Sequence, residues 1–305
     1  MKINLFIVIV TYNGMKWLHK CLSSCASYHV IVIDNNSSDD TVSFIKEEFP
    51  KTTILQQKNN LGFGAANNIG FSYALKQGAD YVFLLNQDAY LKPNTVEDLV
   101  RCHKDNTDFG ILSPIHLNGD GTKLDYNFSK YIALNNALQN DINRQLFSKQ
   151  IYEIPFVNAA AWLLPRKTIE TVGGFDPIFY HYGEDINYTQ RNEYHKLRIG
   201  VVSQIYVLHD RELRLKRQLD NNSEKLTHFE RSLKQNWANI NNDIENNIRL
   251  KKQIVVKAIL KSLIKLKFNE AIININKYRL LNTILPDIRN SRKINKEIGL
   301  HYLDD

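Results

Sequence analysis

Short apolar runs alternate with amphipathic stretches along the first 90 residues, and each apolar run stops abruptly at polar residues. The runs predict strands over 3–10, 29–33, 52–55 and 81–85. The intervening patterns predict helices over 15–26, from a cap at Ser38 or Asp39 to Pro50, and over 65–76, the last one packed through small residues. Strands and helices alternating in this way indicate an α/β fold with a mainly parallel sheet flanked by helices.

Polar side chains follow three of these strands, at residues 11–13, 34–37 and 86–88. The carboxyl ends of parallel strands meet at one sheet edge, where open α/β sheets bind ligands. There Asp34 can accept a hydrogen bond from a base N–H while Asn and Ser groups serve a ribose, so a nucleotide site is predicted. Asp88 can meet a nucleotide or metal at this edge, or it can be a turn residue before Pro93.

The glycines exclude two common nucleotide motifs. No G-x-G-x-x-G follows the first strand and the chain contains no G-x-x-x-x-G-K-[ST], which argues against NAD and ATP sites.

Composition bounds the class of protein. At 305 residues and 43% hydrophobic content the chain can form one large or two ordinary domains. It shows no signal-type start and no apolar run of about 18 residues, which predicts a cytoplasmic location. Cys21, Cys25 and Cys102 lack further ligands at zinc-site spacing, so they are predicted to be buried, reduced thiols.

The net excess of positive charge lies entirely in the carboxyl-terminal third. Residues 211–305 hold 20 Lys and Arg against 11 Asp and Glu, net +9, whereas residues 1–210 are net −2. This shift predicts a boundary near residue 210 between parts with different roles.

Several segments resemble the inverting family 2 glycosyltransferases, in particular the rhamnosyltransferase-like branch. They are VIVTYN (8–13), VIDNNSSDDT (32–41), NLGFGAANNIG (60–70), LLNQDAYL (84–91), GGFDPIF (173–179), GEDINYTQR (183–191) and the late His209. The resemblance implies a GT-A fold, with a Rossmann-like sheet over residues 1–210. Residues 1–116 would be its nucleotide-binding half and 117–210 its acceptor-binding half, followed by a basic helical region at 211–305.

The resemblance also implies residue roles at the sheet edge. The nucleotide-sugar contacts would be Thr11, Tyr12, Asn13, Asp34, Asn36, Asn60, Gly62, Asn67, Asn86 and Asp88. Asp88 matches the metal-binding Asp of the D-x-D element, and His209 would complete the metal or phosphate contacts, which implies a Mn²⁺ or Mg²⁺ cofactor. His209 is alternatively a structural residue. Asn86 stands where many relatives carry the first Asp, so it would instead bind the ribose or act through water.

The second half of the chain supplies the implied acceptor chemistry. Asp185, with Glu184, is expected at the first turn of a helix and would be the general base; the alternative is an acidic helix start. Trp162 and Arg191 are assigned to the acceptor side, with core packing as the alternative for Trp162. Residues 156–164 are predicted as a strand, and 117–152 as an irregular excursion over the acceptor.

The basic tail is predicted to be mostly helical. In residues 254–268 three lysines, Lys257, Lys261 and Lys265, repeat every four residues. They are expected on the face opposite to the apolar side chains of Val256, Ile259, Leu260, Leu263 and Ile264. Such a helix can lie on an anionic membrane surface, pack on the catalytic domain or form a homodimer contact. Nucleic-acid binding is not expected, because no aromatic residues interleave with the charges.

The sequence therefore predicts an inverting glycosyltransferase of cell-surface polysaccharide synthesis at the inner face of the membrane. Its donor would be dTDP-rhamnose or a UDP-sugar, and its acceptor a glycan or a lipid-linked glycan. One alternative is a catalytically inactive nucleotide-sugar-binding scaffold subunit, which Asn86 favours. The other is a sugar-1-phosphate nucleotidylyltransferase, whose glycine- and Arg-rich phosphate loop is replaced here by TYNGMKW.

Overall fold

The computed structural model describes residues 3–211 and 222–304. The first residues of the predicted basic region, 212–221, therefore lie outside the described residues. Within the described ranges the chain forms nine strands in one sheet. These are β1 (Leu5–Thr11), β2 (His29–Asp34), β3 (Thr53–Gln56), β4 (Tyr81–Leu85), β5 (Ala89–Leu91), β6 (Phe109–Asn118), β7 (Ile151–Glu153), β8 (Ala161–Pro165) and β9 (Arg198–His209).

Eleven helices are formed by the same described ranges. They are α1 (Met15–Ser24), α2 (Thr41–Glu48), α3 (Phe63–Lys76), α4 (Thr95–Lys104), α5 (Tyr126–Ile132), α6 (Asn136–Arg144), α7 (Arg166–Val172), α8 (Glu184–Tyr194), α9 (Asn222–Trp237), α10 (Glu245–Ile264) and α11 (Phe268–Asn295). The early βαβ pattern is confirmed, with shifts of one or two residues at several ends. The cap of α2 is Asp40, and the Asp39 carboxylate accepts from the Thr41 N–H at 3.2 Å.

The sheet has the strand order β3-β2-β1-β4-β8-β6-β9-β5, with β7 paired to β9. Its first four strands are parallel, while β8 runs antiparallel between β4 and β6. β9 pairs in parallel with β6 and antiparallel with β5 and β7. The sheet is thus mixed, and the part that carries the predicted nucleotide edge is entirely parallel.

Alternating residues of the central strands divide the core of this sheet into two layers. Val8 of β1 packs in one cluster with residues of α3, α7 and α8, whereas Ile7 and Ile9 pack in the other with residues of α1, α2 and α4. Gly70 lets α3 approach β1 closely, since a side chain there would collide with Val8. The three cysteines are buried and free, as predicted.

The structure corrects two predictions for the middle of the chain. Of the predicted strand over 156–164, only 161–164 lie in a strand, β8; residues 157–160 are buried in a loop, and Phe156 is half-buried there. Residues 117–152 are not irregular, because they contain the end of β6, α5, α6 and the start of β7. The predicted division at 116/117 also falls inside β6.

The described chain forms two compact units. One comprises the described residues before 214 together with those from Ile298 onward, and the other comprises those from 222 to Glu297. The second unit contains α9, α10 and α11, which pack through their own apolar cluster, including Trp237, Ile248 and Ile284. Among the described residues, none of the helices has the length and apolar character needed to cross a bilayer.

The carboxyl-terminal segment, residues 298–304, returns to the first unit. The Gly174 N–H donates to the His301 carbonyl at 2.8 Å, and the Asp304 N–H donates to Ser72 Oγ at 3.0 Å. Gly173 has φ +79°, and a Cβ placed there would lie 2.6 Å from the His301 carbonyl oxygen. The segment therefore packs against a turn that requires glycine.

We expect Gly173→Ala to lower the free energy of unfolding of the first unit by roughly 3 kcal/mol, because left-handed strain and a backbone collision add. Gly78→Ala is the matched control: its φ is +75°, but its only neighbour is Asn4 Nδ2 at 3.8 Å. Strain alone makes the control lose about 1 kcal/mol. Urea unfolding of both variants tests this, and equal losses would contradict the packing of residues 298–304 on Gly173.

Candidate active site

The ends of β1, β2 and β4 meet at one edge, as predicted. Thr11 and Asp34 are paired in register, and the Asn35 N–H donates to the Thr11 carbonyl at 2.8 Å. Gln87, just beyond β4, accepts from Thr11 Oγ1 at 2.7 Å and from the Tyr12 N–H at 3.0 Å. Gln87 thus joins the first and fourth strands. Its position in the sequence, between Asn86 and Asp88, did not predict this role.

The loops after β1 and β2 hold each other through side chains. The Asn13 N–H donates to Ser37 Oγ at 2.9 Å, and Asn13 Oδ1 accepts from the Ser38 N–H at 2.8 Å. Asn13 and Asn36 adopt φ values of 49° and 68°, which Asn tolerates better than most residues. Tyr12, Asn13 and Asn36 remain exposed at this edge.

Asp34 lies beneath these exposed residues. The residue is 2% exposed, and its carboxylate oxygens accept from the Ser37 N–H at 3.3 Å. Among the predicted base and ribose contacts, Thr11 and Asp34 are thus buried at this edge, whereas Tyr12 and Asn36 are exposed there.

A second loop approaches the edge through Asn35, which the sequence reasoning missed. Asn35 Nδ2 donates to Asn60 Oδ1 at 2.9 Å, and Asn35 Oδ1 accepts from the Leu61 N–H at 2.8 Å. Gly62 has φ +80°, and any side chain there would collide with the carbonyl of Tyr180. This close approach links the loop at 60–62 to the segment just before α8.

Asn67 does not belong to this edge. It is 1% exposed, and its Nδ2 donates to the carbonyl of Phe63 at 2.9 Å within α3. The structure therefore corrects the prediction that Asn67 contacts the ribose or diphosphate.

Asp88 and His209 are brought together by the pairing of β5 with β9. Ala89 lies opposite His209, and the Asp210 N–H donates to the Asp88 carbonyl at 2.7 Å. His209 Nε2 lies 3.4 Å from Asp88 Oδ1. Burial alone would raise the pKa of Asp88, but the contact with His209 and the charges of His209 and Arg211 lower it. Asp88 is therefore held ionised.

Two residues that carried no sequence signal complete this cluster. Asp125 is buried; its Oδ2 lies 3.9 Å from His209 Nδ1 and 3.8 Å from Arg211 Nε. Its Oδ1 accepts from the Asn127 and Phe128 N–H groups, which fixes it at the start of α5. Asp125 lies in the stretch predicted to be irregular, where no periodicity marked it.

The donor atoms around Asp88 suit a hard divalent cation. Both ring nitrogens of His209 are buried without a hydrogen-bond partner, and so is Asn86 Oδ1. Within the described ranges no group of three or more His, Cys, Asp or Glu residues converges. Asp88 and His209 could therefore supply two ligands to a cation, and the remaining ligands would have to come from a bound diphosphate or water.

Asp185 lies at the first turn of α8, as expected. Its Oδ1 accepts from the Ile186 N–H at 2.8 Å. Burial raises the pKa of Asp185 to about 6, against the lowering effect of backbone N–H groups and of Arg211. The positive charge of Arg211 lowers the pKa of both Asp88 and Asp185, so both carboxylates lie within electrostatic reach of its guanidinium. Glu184 beside it is 5% exposed and faces Gly64 of α3.

The acceptor-side assignments of Trp162 and Arg191 are wrong. Both side chains are fully buried. Trp162 stacks on Phe175 with ring centroids 6.2 Å apart, and Arg191 donates to the carbonyls of Val172 and Gly174 at 2.9 and 2.6 Å. Their place in the motifs reflects packing beneath the site, in line with the core alternative given for Trp162.

This mixed sheet, with polar side chains at the carboxyl ends of its parallel strands, has the GT-A fold. The model of one family, Glycosyl transferase family 2, matches residues 6–173. The chain belongs to family 2 of the glycosyltransferases.

Relatives and solved structures agree with this assignment. The chain is 23% identical over 216 residues to the dTDP-rhamnosyl transferase RfbF of Shigella flexneri, covering 68% of this chain and 70% of that protein. It is 21% identical over 213 residues to the N-acetylglucosaminyl-diphospho-decaprenol L-rhamnosyltransferase of Mycobacterium tuberculosis, covering 61% and 69%. The fold matches TarS 1-349 of S. aureus, solved with UDP, over 93% of this chain and 92% of that one, at 16% identity and a TM-score of 0.51.

The predicted family, its rhamnosyltransferase-like branch and the GT-A fold with a helical carboxyl-terminal region are thereby confirmed. The protein is a glycosyltransferase of the hexosyltransferase type, among enzymes of glycan and polysaccharide biosynthesis.

We expect Asp185→Asn to stabilise the fold at neutral pH by roughly 1–2 kcal/mol. The pKa of Asp185 is about 6 in the fold, above that of an unfolded carboxyl group, so ionisation costs folding free energy. That cost is absent below about pH 4 and complete above about pH 7. Urea unfolding at both pH values measures the difference.

Asp141→Asn is the control of opposite sign. Hydrogen bonds from Ser148 and Tyr152 lower the pKa of Asp141 to about 2. Its ionised form therefore stabilises the fold at neutral pH, and the substitution is expected to destabilise it there. Parallel behaviour of the two variants would contradict the environment assigned to Asp185.

Proposed function

We propose that this protein is an inverting glycosyltransferase using a pyrimidine nucleotide-diphosphate sugar, either dTDP-rhamnose or a UDP-sugar. The acceptor would be a hydroxyl of a glycan or lipid-linked glycan in cell-surface polysaccharide synthesis, at the inner face of the membrane. The observation that carries the proposal is the contact of Asp88, just before β5, with His209 at the end of β9, 3.4 Å apart, with Asp185 within electrostatic reach of the same Arg211. The name of RfbF, a dTDP-rhamnosyl transferase, and the UDP bound in the TarS structure both support a pyrimidine base.

The parallel edge is proposed to bind the nucleoside. Asp34 would accept from the N–H of the pyrimidine, while Thr11, Tyr12, Asn13 and Asn36 line the base and ribose. Asp34 would serve uracil and thymine alike, because both present the same N–H. The Asn60–Gly62 loop would cover the ribose and diphosphate.

Asp88 and His209 would hold a divalent cation, Mn²⁺ or Mg²⁺, together with the diphosphate of the donor. Such a cation neutralises the charge that develops on the leaving nucleoside diphosphate. Asn86 is neutral, so it would contribute a carbonyl oxygen or contact the ribose. Arg211 adds a fixed positive charge on the same side of the site.

Asp185 is proposed to be the general base. It would take the proton of the acceptor hydroxyl as that oxygen forms a bond to the anomeric carbon. The bond from the anomeric carbon to the diphosphate oxygen breaks at the same time, and its electron pair leaves with the nucleoside diphosphate. Attack opposite the leaving group inverts the anomeric configuration, and Glu184 would support Asp185 at the start of α8.

The pH dependence follows from the pKa of Asp185. Because a base must be deprotonated to act, kcat/KM is expected to rise with pH through about 6 and to level off above about 7. Asp185→Asn should lower kcat by about 10²–10⁴-fold while leaving donor binding within about twofold. A variant with near wild-type kcat would assign the base to another residue.

Calorimetric titration with UDP, dTDP, GDP and ADP, each with and without Mn²⁺, tests the donor site. We expect tight binding of one pyrimidine diphosphate only with Mn²⁺, and at least a tenfold loss in Asp88→Ala. Asp120→Ala, an exposed carboxylate in a loop, is the matched control and should bind as the wild type does.

Indifference to all four nucleotides would overturn the donor assignment. The scaffold alternative, which Asn86 favours, predicts nucleotide binding without turnover. Incubation with a panel of rhamnosyl and glucosaminyl acceptors, followed by NMR of the anomeric configuration of any product, distinguishes that alternative from an inverting enzyme.

A further inference from the structure

The turn between α10 and α11 exposes bulky apolar side chains without interruption. All residues from Leu263 to Glu270 are exposed. The exposed fractions are 83% for Ile264, 72% for Leu266 and 61% for Phe268. Half of the eighteen large hydrophobic residues exposed in the described chain fall between Leu250 and Ile272. Such a concentration marks an interaction surface.

These side chains are not needed for the packing of their own unit. The buried positions of α10 are Ile248, Val255 and Ser262, which lie on one side of the helix. That side packs with α9 and α11 in the apolar cluster of the second unit. The exposed apolar side chains of α10 and of the turn are therefore a second apolar surface.

Lysines share this second surface. The predicted separation of lysines from apolar residues is wrong, because of the five apolar residues only Ile259 is packed in the cluster. Lys257 and Lys261 lie one turn from Leu260 and Ile264, and Lys265 and Lys267 flank Leu266. Residues 246–269 contain seven Lys and Arg and no Asp or Glu. We call residues 261–268 the basic tip.

The composition of the basic tip distinguishes among three candidate binding partners: a second copy of this chain, a nucleic acid and an anionic lipid surface. A second copy packed on the same surface would place lysines opposite lysines, and the repulsion between like charges would disfavour such a dimer. A nucleic acid would need stacking side chains, and Phe268 is the only aromatic residue in the tip. Interleaved lysines and aliphatic side chains suit a surface with anionic headgroups above an acyl layer.

We propose that the basic tip binds an anionic lipid bilayer. Ile264, Leu266 and Phe268 enter the boundary between headgroups and acyl chains. Lys261 and Lys265 extend their ammonium groups to lipid phosphates. Lys267, which pairs with Glu270 at 2.7 Å, exchanges this exposed partner for a phosphate. The inference rests on the proposed location at the inner face of the membrane and names the surface that binds there; its failure is distinguishable from failure of the catalytic proposal, because lipid binding is measured without donor or acceptor.

Vesicle flotation of the full-length chain tests the proposal. We compare vesicles of phosphatidylcholine mixed with phosphatidylglycerol against vesicles of phosphatidylcholine alone, at low and high salt. Binding is expected only with phosphatidylglycerol and should weaken as salt rises. The variant K261Q/K265Q/K267Q should bind roughly a hundredfold more weakly, at about 1 kcal/mol per lysine.

The variant I264S/L266S/F268S should weaken binding at least tenfold, since apolar burial is lost while all charges remain. Two controls change exposed residues of the first unit: K46Q/K51Q/K58Q removes the same number of charges, and L134S/L146S removes two exposed apolar side chains. Both controls should bind as the wild type does. Thermal unfolding checks that every variant is folded.

Three outcomes overturn the proposal. One is no binding to anionic vesicles by the wild type, and another is equal weakening by the control variants. The third is self-association seen by light scattering without lipid and abolished by I264S/L266S/F268S, which would make a second copy the occupant.

Discussion

The short antiparallel pairing of β5 with β9 is the constraint on which the site depends. It places His209 opposite Ala89 and so brings its imidazole within 3.4 Å of the Asp88 carboxylate. β9 is itself held by β6 and β7, so His209 ends a strand with partners on both sides. A largely buried carboxylate is costly without compensating charge. The pairing therefore supplies both the position and the electrostatic partner of Asp88.

Asp88 and Asp185 show how one site gives two carboxylates different chemistry. Asp88 is surrounded by His209 and Arg211, and these charges outweigh the effect of burial and lower its pKa. Asp185 has fewer compensating charges, so burial prevails and raises its pKa to about 6. A carboxylate with a lowered pKa suits the proposed cation binding, and a carboxylate with a pKa of about 6 suits the proposed base catalysis.

The local pattern predicted β1 to β4 and the polar residues that follow them. Both signals, a short apolar run and the polar residues at its end, involve only residues adjacent in the sequence. It gave Gln87 no role of its own and did not find Asp125, because the roles of both come from contacts with distant strands. Trp162 and Arg191 were misassigned because a motif does not tell which face of its element a side chain occupies. The burial of both follows from tertiary packing alone.

The distribution of charge along the chain separates two electrostatic roles: neutralising a bound diphosphate and attracting an anionic surface. Residues 1–210 are net −2, so their overall field does not attract an anionic nucleotide. Neutralisation of a diphosphate must then be local, which is what Arg211 and a cation held by Asp88 and His209 would provide. The excess of +9 in residues 211–305 lies in the sequence that contains the basic tip. Affinity for an anionic surface can thus change through lysines there without altering the charges that hold Asp88 and Asp185 at their different pKa values.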